Sequence, residues 1–136
     1  MPIPCVDVIV ANLKGQILLV QRSNEPMKDE WWFPGGRVLF KENRAQAAIR
    51  KILEECGLDV VIVSELGTYD LILDIKNRSV PSHAISTLFH AQVTRSVPIK
   101  LDLQSRDAQW HLPKEWLNFS LPDFIRKQLL AFEDNS

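Results

Sequence analysis

The chain has 136 residues, 46% hydrophobic and 24% charged, with a formal net charge of −1. That length suits one domain with a real core, so residues 1–136 are read as a single domain. The small net charge argues against broad non-specific binding to nucleic acid or an anionic membrane, and neither is expected as a partner. No apolar run reaches the roughly 18 residues of a membrane span, and no basic-then-apolar signal pattern opens the chain. Cys5 and Cys56 lie in apolar surroundings without metal-ligand spacing. They read as small core residues and fit a reducing cytoplasm.

Ile3 to Ala11 is β-branched and nearly all apolar, which predicts a central strand. Asp7 interrupts it. A buried carboxylate is costly without donors, so either this face meets solvent or Asp7 lines a site. Asn12 to Gly15 predicts a turn, and Gln16 to Arg22 the returning strand. A polar loop over Ser23–Glu30 leads to Trp31-Trp32-Phe33-Pro34 and the pair Gly35-Gly36, a bend where backbone can approach a ligand. A Trp there could stack on a nucleobase, or serve as a hydrophobic plug behind the loop.

Apolar residues at Ala45, Ala48, Ile49, Ile52, Leu53 and Cys56 predict one buried helical face, with a helix over 44–56. Asn43 and Gln46 have capping-box spacing, and Gly57 suits the turn off the helix. The opposite face carries Arg50, Lys51, Glu54 and Glu55. Adjacent carboxylates repel, and Mg²⁺, which takes oxygen ligands, would remove that cost. The plainer alternative is a solvated charged face with an Arg50–Glu54 pair.

Beyond the helix, strands are expected over Leu58–Val63, Thr68–Ile75 and His83–Val93, with a turn at Lys76–Ser79. Ile99–Leu103 reads as a short strand and Asp107–His111 as another. Pro113 opens a helical turn, and Pro122 stands as first residue of a last helix, with Phe124, Ile125, Leu129 and Leu130 inward. His83, His90 and His111 lack metal-site spacing and read as structural or surface residues. His83, expected at the mouth of the sheet, is the one to test.

Residues 36–58 resemble the Nudix box, G-x5-E-x7-R-E-U-x-E-E-x-G-U, where U is bulky and aliphatic. Gly36, Glu42, Arg50, Ile52, Glu54, Glu55, Gly57 and Leu58 match, and Lys51 replaces the Glu after the Arg. In the family that Glu is commonly a metal ligand or the base that activates water. The resemblance implies an α/β/α sandwich, a mixed β-sheet between helices. Asp7, Arg22 and Arg37 further resemble the GDP-mannose mannosyl hydrolase branch, which has an Asp in its first strand, an Arg ending the second and an Arg after the double glycine. Aligning on Asp107 and Trp110 puts Gln104 at that branch's Gln metal ligand. The branch's catalytic His is Ser105 here, and the Tyr of its His-Tyr pair is Ala84.

The resemblance implies a Mg²⁺-dependent hydrolase, with Mn²⁺ as a substitute, acting on a nucleotide-type small molecule. The leading substrate is a nucleotide sugar such as GDP-mannose. Metal would be held by Gly35, Glu54, Glu55 and Gln104, and substrate by Asp7, Arg22 and Arg37. Arg22, Arg37 and His83 are the expected catalytic groups. Lys51 is expected to restrict the site to one metal ion. The branch is often dimeric. The alternatives are attack at phosphorus of nucleoside triphosphates or dinucleotides, and a nucleotide-binding module that has lost turnover.

Overall fold

A computed structural model describes residues 1–24, 27–73 and 82–135. The strands are β1 (Ile3–Ala11), β2 (Ile17–Arg22), β3 (Trp31–Trp32), β4 (Gly35–Arg37), β5 (Val60–Leu73), β6 (Ser82–Val93) and β7 (Ser105–His111). The helices are α1 (Arg44–Cys56), α2 (Pro113–Trp116) and α3 (Asp123–Asp134). The strands form one mixed sheet, ordered β3-β2-β1-β6-β5, with β4 paired to β1 and β7 to β2. The β1–β6 pairing is parallel and the others are antiparallel.

Alternation along β1 divides the core between the two faces of the sheet. Val6, Val8 and Val10 pack with Ala47, Ala48, Ile52 and Cys56 of α1. Ile9 and Ala11 pack with Trp116, Ile125 and Leu129 from the other helical layer. This is the α/β/α sandwich. Among the described residues no helix is long and apolar enough to cross a membrane.

Helix α1 spans the expected residues, with the Asn43–Gln46 capping box formed and Gly57 left-handed at its end. Its buried face is the expected one only in part: Ala48, Ile52 and Cys56 are buried as expected. Ile49 and Leu53 are 40% and 51% exposed, while Lys51 and Glu55 are 8% and 4% exposed. The buried stripe runs through positions 47, 48, 51, 52, 55 and 56, so two charges share it with the apolar residues.

The remaining differences have local causes. The two strands expected between 58 and 75 form one long β5, whose register shifts near Ile62–Ser64 and Glu65–Gly67 absorb the interruption. Ile75 and the turn at 76–79 lie outside the described residues. Ile99–Leu103 forms no strand. Its backbone N–H groups at Lys100 and Asp102 donate instead to the carbonyls of Cys56 and Glu55, at 2.8 and 3.1 Å, satisfying the free end of α1. Pro122 is the N-cap of α3 rather than its first residue, and Leu130 faces outward. Cys56 is buried, but Cys5 is partly exposed.

Candidate active site

Strands β1 and β2 pair at Ala11 and Ile17. Farther along, β2 takes β3 as a partner at Val20 and Gln21, and β1 takes β4 at Cys5 to Asp7. The segment carrying Trp31 to Arg37 thus fills the space between the two strands. The Val8 N–H donates to the Pro34 carbonyl at 3.0 Å and fixes the bend. Glycine is required at 35 because a Cβ there would overlap the Val6 carbonyl. A cavity of about 250 Å³ opens at this junction. Its lining includes Asp7, Arg22, Gly35, Arg37, Glu55 and Gln104.

In the cavity wall Glu55 accepts a hydrogen bond from the Gly35 N–H at 3.3 Å. The Lys51 ammonium lies 3.5 Å from Glu55 and 3.7 Å from Glu54. Burial pushes the Glu55 carboxyl up to about 7; Lys51 opposes the shift and Asp102 adds to it. Glu54 is half-exposed and is held by Arg50 at 3.0 and 3.1 Å. Arg50 also donates to Glu42 at 2.7 Å and to the Arg37 carbonyl at 2.9 Å. Glu42 in turn accepts from the Leu39 N–H at 3.0 Å. Through these bonds α1 orders the loop that follows the double glycine. Arg50 holds the Glu42 carboxyl below its usual range.

Across the β1–β4 pair from Gly35, the buried Asp7 carboxylate accepts from Ser86 Oγ at 2.6 Å and from Trp32 Nε1 at 3.1 Å. Burial pushes Asp7 up to about 6, against the hydrogen bonds from Ser86 and Trp32 and the charge of Arg22. Trp32 stacks on Phe124, with ring centroids 5.5 Å apart. Trp31 packs against Trp116 and Phe119 and is the hydrophobic plug.

Two of the expected site residues are not among those lining the cavity. Glu54 stands 3.7 Å from the Lys51 ammonium but is held by Arg50 at 3.0 and 3.1 Å, outside the lining. His83 does not line it either. The strand neighbours Ser82 and Ala84 do, and alternation along β6 sends His83 to the opposite face, where its Nε2 is 3.0 Å from Asp70. The catalytic role expected of His83 therefore has no geometric support. Of the nearby carboxylates, Asp70 pairs with His83 and Asp74 lies outside the described residues. Ser105 lines the cavity, and so does Cys5, which was expected in the core. Ser86 and Asp102 escaped the sequence reading. Ser86 meets Asp7 only through the parallel pairing of β1 with β6, 79 positions apart, and no local pattern signals it.

Among the described residues no three His, Cys, Asp or Glu side chains gather as a metal cage. The donor chemistry still fits a Mg²⁺-type ion, which needs only one or two carboxylates and completes its shell with water and phosphate oxygens. Glu55 is a desolvated carboxylate at an open cavity, with Gly35 and Gln104 among the same lining residues. These three could hold such an ion, and Glu54 could approach it only by leaving Arg50.

Comparison with known proteins agrees with the box. The low-salt glycan biosynthesis protein Agl8 of Haloferax volcanii is 41% identical over 73 residues, 54% of this chain and 46% of that protein. An ADP-ribose pyrophosphatase of Methanocaldococcus jannaschii is 36% identical over 88 residues, 65% of this chain and 49% of that protein. The matches thus span about half the length of these curated relatives. The crystal structure of a MutT protein from Methanosarcina mazei Go1 superposes with a TM-score of 0.82, covering 98% of this chain and 95% of that one at 23% identity; it shows the shared fold. The NUDIX domain family model matches residues 1–132, and with the box of α1 and the sandwich around it, this chain belongs to the Nudix family.

Proposed function

We propose that this chain, acting as a single domain, is a Mg²⁺-dependent hydrolase of a nucleoside diphosphate linked to another group, with a nucleotide sugar such as GDP-mannose as the leading substrate. The observation that carries this reading is the meeting of Arg22 and Arg37 with Glu55 and Gln104 around one cavity. Arginine forks suit phosphate oxygens, and a carboxylate with neutral oxygens suits a hard cation. When bound, that cation supplies positive charge to the diphosphate and eases departure of the leaving group. Asp7 holds Trp32 in place and keeps an acceptor near Arg22 for a donor on the substrate. Similarity to a relative named for glycan biosynthesis supports the sugar.

The mannosyl hydrolase branch attacks the sugar carbon, with a histidine taking the proton from water, and among the described residues no histidine lines this cavity. Ser105 is far too weak at neutral pH, and His83 faces away. A positioned general base is typically worth ~10²–10⁴ in rate, so slow turnover is expected. A second reading, attack at phosphorus, is favoured by the similarity to an ADP-ribose pyrophosphatase. Hydrolysis of GDP-mannose and ADP-ribose in ¹⁸O-labelled water decides between them. Label in the released sugar supports carbon attack. Label in the nucleotide or phosphate product removes the mannosyl-type mechanism. Binding of both compounds with no turnover leaves a nucleotide-binding module.

A further inference from the structure

Lys51 stands where the Nudix box has a glutamate, and it is buried. Its stem lies against Gly36, where a Cβ would collide with Cε of the lysine, so the glycine and the lysine are matched in shape. Its ammonium faces two carboxylates, Glu55 at 3.5 Å and Glu54 at 3.7 Å. Arg50 already serves Glu54 with two shorter contacts, 3.0 and 3.1 Å. Among the described residues, Glu55 meets only the Gly35 N–H and this lysine. A buried carboxylate with so few donors needs a cation, and here a side chain supplies it. Both lysine distances exceed those of a short charge-assisted hydrogen bond, about 2.7–2.9 Å, so the pair is ionic and open to exchange.

We propose that Lys51 is a built-in counter-ion for Glu55 that competes with the divalent cation, so that metal entry requires the ammonium to give up its place. The proposal rests on the reading of Glu55 as a metal ligand and adds a residue that sets the affinity of that site. The physical reason is like-charge repulsion. A divalent ion and an ammonium cannot both neutralise one buried carboxylate without facing each other at short range. Metal then binds weakly to the free protein and more readily once substrate phosphates bring further negative charge.

The test uses Mn²⁺ alone, without substrate, on the full chain. Electron paramagnetic resonance of free Mn²⁺ gives the affinity, and the Mn²⁺-induced rise in Tm gives an independent readout. Lys51→Met keeps the length of the stem and removes the charge. It is expected to bind Mn²⁺ roughly tenfold tighter or more, about 1.4 kcal/mol, with a larger Mn²⁺-induced rise in Tm. Lys51→Arg, which keeps the charge, should stay near wild type. If Lys51→Met does not fold, Lys51→Gln takes the same test. Equal or weaker binding in the neutral variants, with Mn²⁺ still bound, overturns the counter-ion role and leaves the metal reading intact. No Mn²⁺ binding in any of these proteins overturns the metal reading and the counter-ion role with it.

Discussion

Asp7 and Trp32, 25 positions apart, share a 3.1 Å hydrogen bond from the indole N–H to the buried carboxylate. The bond fixes the tryptophan from one side while Phe124 stacks on it from another, so Trp32 forms a rigid wall of the cavity. It also helps explain how a carboxylate can remain in a strand of valines and isoleucines. Ser86 supplies the second donor.

This arrangement makes Asp7 a cost to the fold that serves the site. Its carboxyl is raised from 3.8 to about 6, so the native state holds its proton more tightly than the unfolded chain. Its contribution to stability is therefore lost as pH rises from about 4 to about 6, and the cost stays in full above that. Asp7→Asn removes the buried charge but keeps only one acceptor oxygen for the two donors, so it should raise stability at pH 7 by at most ~3 kcal/mol. The same change should lessen the fall in stability between pH 4 and 6, leaving the part that Glu55 contributes, and weaken substrate binding. Urea unfolding of both proteins at pH 4 and pH 7 checks this. A wild-type protein that gains stability across that interval contradicts the assignment.

Glu55→Gln is expected to cut metal-dependent turnover sharply. The substitution keeps the shape and removes the buried charge expected to hold the cation. A loss on the order of 100-fold or more at limiting Mg²⁺ is expected, about 2.7 kcal/mol of transition-state stabilisation. Steady-state kinetics over a Mg²⁺ titration gives the answer, and near wild-type turnover at low Mg²⁺ would mean that Glu55 is not the ligand.

His83→Ala should leave turnover within about twofold of wild type. Its ring pairs with Asp70 on the face of β6 away from the cavity, and changes at partly exposed pairs of this kind usually cost little. The kcat and KM of the variant are the measurement. A drop of 100-fold in kcat would restore His83 as the base and require the 82–84 segment to rearrange in the complex.

The helix and its ends were legible in the sequence because they depend on neighbours in the chain. Asn43, Gln46 and Gly57 act on backbone groups within a turn, and the box spacing is itself a property of one helix. The alternation of β1, and with it the two-layered core, follows from the period of a strand. Which face of α1 is buried does not. Hydrophobic spacing pointed to Ile49 and Leu53 beside Ala48, Ile52 and Cys56, but Gly36 of β4 leaves room for the Lys51 stem and the Gly35 N–H donates to Glu55, so the buried stripe runs through the charged pair. Likewise, the parallel pairing of β1 with β6 alone brings Ser86 to Asp7 and turns His83 away from the cavity. Local periodicity determines an element and the spacing of its groups. What those groups face depends on strand pairings between distant parts of the chain, and these were decided only when the sheet closed around the glycine bend.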